Sequence, residues 1–306
     1  MSIAIITSIA VTAILFEIAL RSLVPPGQEP AGPFHTPELR TKVNQYESTP
    51  SFDLMITGSS IAAVNYNSVE VARVANEQGK PLSVFNAGIR GCNFIGITPV
   101  IEQFFFNKSR PETLLIVVSP TDLSETNVSR HRRSINYIKG ITPEPIKRSL
   151  LTLASDKFWL YGFRKETVEF AKTLKWRYEN LVEELGYVNM GSTPRNWRKP
   201  QLQFDIDGSA SRAFVKLIRE AKDENVNVVL LPSMGSPEFR ERVTEQERSE
   251  FLELLKMVSD ESDVMLLDEL TPNEPTQYID SVHLATESAR IESEALAKEL
   301  HSLQVI

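Results

Sequence analysis

The sequence has one cysteine, Cys92, among 306 residues. An intrachain disulfide is therefore impossible, and a zinc site built on several thiolates is excluded with it. Histidine is nearly as scarce, with only His35, His131, His283 and His301. There is no glycine-rich phosphate loop, and the spacing of His, Asp and Glu suggests no metal site, so no cofactor and no metal are expected. Positive charge is not in excess: 33 Lys/Arg face 40 Asp/Glu for a net −7. That balance argues against a nucleic-acid partner, which needs a basic surplus to neutralise phosphates. Repeats of fixed period are absent. What is present, 42% hydrophobic and 24% charged residues, can bury a full core as one large domain or two small ones and excludes disorder and low-complexity architectures.

The apolar residues are unevenly placed. Ile3 to Leu20 is apolar apart from hydroxyl residues and Glu17. As a helix its 18 residues span roughly 27 Å, close to the hydrocarbon thickness of a bilayer. Residues 1–24 are accordingly expected to form one membrane anchor or signal-anchor helix, contacting the membrane through residues 3–24. A cleaved signal peptide is the rival reading, although no Lys or Arg precedes the run and no A-x-A site follows it. Pro25-Pro26-Gly27 and the Pro-rich stretch to Pro37 read as a linker over 25–50.

Charge is uneven too. Residues 130–199 hold 15 Lys/Arg against 7 Asp/Glu, about +8, while the remainder holds 18 against 33, about −15. Trp159, Trp176 and Trp197 all fall in this basic stretch. Around it, short apolar runs (53–60, 82–89, 113–120, 226–233, 263–269) alternate with helix-like stretches near 68–78, 94–107, 208–224, 244–258 and 284–301. Apolar runs without strict alternation suit strands covered on both faces, and helices between them imply a parallel sheet. The expected fold is α/β: a doubly wound, mostly parallel five-stranded sheet in a flavodoxin-like three-layer arrangement over 51–306, interrupted by a helical insertion at 130–205.

Ligands of such sheets collect at the carboxyl ends of the strands. There the sequence places Gly58-Ser59-Ser60, Asn86-Ala87-Gly88, Ser119-Pro120-Thr121-Asp122 and, before the last helix, Asp280-Ser281-Val282-His283. Serine catalysis needs a hydroxyl at a strand-to-helix turn, an imidazole to take its proton and a carboxylate to orient the imidazole. His35 lies in the linker and His301 on a terminal helix, so His283 is the natural base, with His131 a distant second. Asp280 can reach its ring across one tight loop. Plainer roles compete: Ser60 as a helix N-cap, Asp280 and His283 as a capping pair for the last helix, Gly88 as a tight turn. Asp122 reads as a structural acceptor and Cys92 as a small buried hydrophobe.

These residues carry a resemblance. Gly58-Ser59-Ser60-Ile61 resembles the Gly-Asp-Ser-Leu block of the SGNH (GDSL-type) hydrolases, with Ser60 at the nucleophile position. Asp280-x-x-His283 resembles their last block, and Asn86-Ala87-Gly88 their second, whose Gly gives an N–H to the oxyanion hole. The resemblance covers roughly 50–125 and 225–300. It implies catalytic residues Ser60, His283 and Asp280, with an oxyanion hole from the N–H groups of Ser60 and Gly88. The family's third block, Gly-x-Asn-Asp, has Thr121 at the position of the Asn donor, which leaves Thr121, or the amide of Asn93, to supply that hydrogen bond.

The function so implied is a serine esterase or O-acyltransferase working through an acyl-enzyme. Its expected substrate is an ester-linked acyl group, with acetyl preferred, on an extracytoplasmic carbohydrate, and the catalytic domain is membrane-anchored outside the cytoplasm. A non-catalytic scaffold or polysaccharide-binding protein on the same fold is the alternative, and a lipase or thioesterase a third. The basic, Trp-rich insertion reads as a rim near the site or as the core of a small helical subdomain; Arg130-His131-Arg132-Arg133 could meet anionic headgroups.

Overall fold

A computed structural model describes residues 37–125, 186–188, 202–205, 207–270 and 277–306, with positions 11, 12, 14 and 15. The expected anchor helix, His35, His131, the three tryptophans and most of the insertion lie outside the described residues. Among the described residues, no helix is long and apolar enough to cross a membrane.

Five strands run parallel in the order β2-β1-β3-β4-β5: β1 Leu54–Gly58, β2 Val84–Asn86, β3 Thr113–Val118, β4 Asn227–Pro232 and β5 Met265–Leu266. Every residue of β1, β2 and β3 is buried, which is why their apolar runs do not alternate. The helices are α1 Pro37–Glu47, α2 Ser60–Asn65, α3 Ser68–Glu77, α4 Phe94–Val100, α5 Pro120–Leu123, α6 Ser209–Asp223, α7 Pro237–Arg242, α8 Glu245–Ser262 and α9 Thr286–Ser302. α3 packs with α9, and α4 with α6. In α6 the buried residues Ala210, Phe214, Leu217, Ile218 and Ala221 form one stripe at helical spacing. Thr244 and Glu247 close a capping box at the start of α8, and Asp263 in the left-handed conformation ends it.

Three expectations are corrected. Part of the stretch read as linker is α1, whose Leu39, Val43 and Tyr46 are buried in the core. Pro37 starts that helix, where its missing N–H is harmless, so it marks an entrance rather than a break. Tyr46 stacks on Phe52 and meets Phe85 and Phe105 edge-on, with centroids 5.1–5.2 Å apart. The helix expected over 94–107 is α-helical only to Val100 and continues as a π-helical segment, Ile101–Phe106. Pro99 lies just before that change and withholds an N–H from the ladder. The strands are shorter than their apolar runs, and after β1, β2 and β3 the remaining residues form the turns at the candidate site.

Candidate active site

The order 2-1-3 sets the ends of β2, β1 and β3 side by side, with the direction of winding reversing between β1 and β3, where open α/β sheets hold ligands. β1 ends in Gly58, whose φ is +142° and where a Cβ would lie 2.4 Å from Val117 O, so glycine alone fits. The chain then turns into α2. Ser59 is the N-cap of α2, and Ser60 is its first residue, buried at 6% exposure. The capping role open to Ser60 therefore belongs to its neighbour. The Ser60 backbone N–H, at a helix start, has no intrahelical acceptor.

Gly88 lies against α2: a Cβ there would sit 2.4 Å from Ala63 N. The contact is tight because Asn86 binds the turn to the helix, its Nδ2 donating to Ala62 O and Tyr66 O at 2.7 Å and its Oδ1 accepting Gly88 N–H at 2.9 Å. On the β1 side, Ala87 N–H donates to Ile56 O at 2.8 Å and Ile89 N–H to Gly58 O at 2.9 Å. The sequence reading valued this triplet for its glycine and missed the Asn86 side chain. An Asn at the end of a buried strand was the available signal.

Asp280 and His283 sit on the turn before α9. Asp280 Oδ2 is 2.7 Å from His283 Nδ1, and Oδ1 accepts the N–H groups of Val282 at 3.0 Å and His283 at 2.9 Å. Burial works to raise the Asp280 carboxyl. The hydrogen bonds from the His283 ring and the two backbone N–H groups outweigh it and hold the carboxyl below its ordinary value. Asp280 caps this turn and not α9, whose N-cap is Ala285. His283 Nε2 is buried with no hydrogen-bond partner among the described residues. The turn is pinned by Ile279 N–H to His283 O and Ala285 N–H to Gln277 O, both 2.8 Å, and by Ser236 N–H to Ser281 O at 2.9 Å.

Asn65, which the sequence reading also missed, joins the two halves. It lies five residues beyond Ser60 on α2, about 7.5 Å of helix rise. Its Nδ2 donates to Val282 O at 2.8 Å and its Oδ1 accepts Leu284 N–H at 2.9 Å, so it grips the chain on both sides of His283. The helix that begins with the candidate nucleophile thus carries the candidate base. From the insertion, Val188 N–H donates to Ala63 O at 2.9 Å, and Tyr187 packs on Leu284 and Ala289.

Solved structures similar to the chain include esterases and a lipase/acylhydrolase. A lipase/acylhydrolase from Enterococcus faecalis aligns at 13% identity and TM-score 0.45, over 82% of this chain and 96% of its own. A psychrotrophic esterase from Pseudoalteromonas sp. aligns at 9% and 0.44, over 83% and 98%. An acetylxylan esterase from Geobacillus stearothermophilus aligns at 11% and 0.42, over 81% and 94%. No protein-family model matches the chain. No curated protein matches it either.

Thr121 does not fit the donor role expected of it. Ser119 Oγ donates to the Asp122 carboxylate at 2.7 Å, which uses its only proton, so at 2.9 Å the Thr121 hydroxyl must donate to Ser119 Oγ. Its proton is committed inside the turn. Asp122 also accepts Ser119 N–H at 3.0 Å and is a structural acceptor, as read. Thr121→Val is expected to cost about 1 kcal/mol of stability for the lost hydrogen bond. Hydrolysis of an aryl acetate should change less than about threefold, where loss of an oxyanion donor costs about 10²–10³. A hundredfold loss in steady-state kinetics would restore Thr121 to the oxyanion hole. Asn93 is fully buried at the N-cap of α4 and makes no side-chain cap there. Cys92 is buried in the core, as expected.

Proposed function

We propose that the chain is a serine ester hydrolase or O-acyltransferase of the SGNH (GDSL) type, with Ser60 as nucleophile, His283 as general base and acid, and Asp280 as the group that orients the imidazole. The observation that carries this reading is the partly buried Asp280–His283 pair, with Nδ1 held at 2.7 Å and the buried Nε2 left without a partner among the described residues. An imidazole whose Nδ1–H is fixed on a carboxylate presents a lone pair at Nε2, the form that can accept a serine proton.

In the first step Ser60 Oγ bonds to the ester carbonyl carbon while its proton passes to His283 Nε2. The oxyanion is met by the Ser60 N–H and by the Gly88 N–H, which it shares with Asn86 Oδ1 in a three-centre bond. The Asn93 amide is the third donor. Collapse breaks the ester C–O bond, and the leaving alkoxide takes the proton back from His283. Water or a sugar hydroxyl then attacks the acyl-enzyme through the same base, giving hydrolysis or transfer.

An acylated, acetyl-type carbohydrate is the proposed substrate class. The three tryptophans and the +8 charge of 130–199 support it, being suited to sugar faces and anionic polymers. Tethering by residues 3–24 with the domain outside the cytoplasm belongs to the same proposal and rests on the apolar run.

The test is labelling of the full chain with a fluorophosphonate probe, alongside Ser60→Ala and His283→Ala. Only the unmutated protein should label at an appreciable rate. A folded, unlabelled wild type would mean a non-catalytic protein on this fold, and labelling of Ser60→Ala would move the nucleophile elsewhere.

A further inference from the structure

β2 is the edge strand of the sheet, so the backbone groups of alternate residues face away from β1. Ala87 faces inward and bonds Ile56, whereas Asn86 and Gly88 face outward. Buried edge carbonyls need a donor. They receive it from Lys42 on α1, which is 1% exposed and whose Nζ reaches Gly88 O at 2.7 Å and Asn86 O at 3.2 Å.

We propose that Lys42 is a positioning residue for the oxyanion turn, clamping the two carbonyls that flank the peptide bearing the Gly88 N–H. The proposal rests on the reading of the site given above. Asn86 fixes the Gly88 N–H from the α2 side and Lys42 fixes the neighbouring peptides from the α1 side, so the direction of that N–H is set by both. Neither residue touches the reacting atoms.

The choice of a lysine has a consequence. Burial pushes the amine down to about 7, against the pull of Glu38 one turn back on α1, while Arg90 adds a further push. Glu38 is itself paired with Arg90. β2 offers no ionisable group, and the one in the π-helical segment packed on α1, Glu102, is bound to Lys216 on α6. The clamp is therefore charged below neutrality and neutral above it. Both forms can donate two hydrogen bonds, but those of the ammonium are the stronger.

The experiment compares the wild type with Lys42→Met and Lys42→Gln by amide hydrogen exchange over residues 84–91 at pH 6–9, corrected for intrinsic rates, together with aryl acetate kinetics. Lys42→Met removes the buried amine at nearly constant stem length and leaves the Asn86 and Gly88 carbonyls without its hydrogen bonds, so it should lower stability. Its turn should exchange about tenfold faster at pH 6. Its kcat should fall about 10- to 100-fold with KM within about threefold, the pattern of a misplaced transition-state contact. Wild-type protection should weaken as pH rises through about 7, and this step should vanish in both variants. Lys42→Gln, which keeps a neutral donor, reads the same step should Lys42→Met fail to fold. Wild-type exchange at the turn in either folded variant overturns the proposal, and so does full kcat with a loosened turn. A wild type without turnover counts against the proposed reaction instead, while exchange still tests the clamp.

Discussion

Asp280→Asn is expected to lower kcat by about 10⁴-fold with the fold intact, the cost of presenting the wrong imidazole tautomer. The geometry leaves the new amide little choice. Asp280 Oδ1 accepts two backbone N–H groups, from Val282 and His283. Only an oxygen can stay there, so the NH₂ must take the place of Oδ2 and face His283 Nδ1. The ring then has to accept at Nδ1 and carry its proton on Nε2, the atom that should receive the proton of Ser60. The folding cost should be small near neutral pH, because the turn keeps both backbone bonds. In acid the variants should diverge. The Asp280 carboxyl is held below its ordinary 3.8 in the fold, so it contributes stability above that value and loses it as pH falls through the lower, folded one. Thermal unfolding of the wild type should therefore weaken more steeply in acid than that of Asp280→Asn. Turnover within tenfold of wild type would remove Asp280 from the mechanism.

The sheet and the positions of its chemistry were legible in the sequence for a definite reason. Strands buried on both faces read as unbroken apolar runs, and helices between them imply parallel crossovers, so Ser60 and Gly88 could be placed at strand ends, and His283 ahead of the last helix, without coordinates. The four histidines narrowed the base to one. Less legible were residues that act through backbone groups. The side chains of Asn65, Asn86 and Lys42 hydrogen-bond to main-chain atoms, and no spacing rule relates Asn65 to Val282 or Lys42 to Gly88, which are distant in sequence and meet only once the sheet is formed. α1 was hidden by its own Pro37, because one residue type signals both a linker and a helix start. Thr121 misled differently. It lies just after β3, but its proton is committed to Ser119, and hydroxyl bookkeeping needs a structure.

Asn65→Ala should lower both stability and turnover, for one reason. It leaves Val282 O and Leu284 N–H buried without the partners that Asn65 supplies at 2.8 and 2.9 Å. At about 1–3 kcal/mol for each of the two orphaned groups, the loss is about 2–6 kcal/mol. For a chain of this size the unfolding midpoint should drop by roughly 3–9 °C. In the protein that remains folded, the turn carrying His283 is no longer tied to the helix that carries Ser60, and a displacement of about 1 Å is enough to cost about 100-fold in kcat. Asn65→Asp separates the two bonds: it still accepts Leu284 N–H but sets a carboxylate against the Val282 carbonyl, so it should be no better than Asn65→Ala despite its shape. The decisive measurement is the double variant with Asp280→Asn. Once the imidazole holds its proton on Nε2, its distance from Ser60 matters little, so the two losses in kcat should combine to much less than their product. The losses in stability should remain close to additive, because the orphaned backbone groups do not depend on the tautomer. Multiplicative losses in kcat would show that Asn65 acts on something other than the placement of His283.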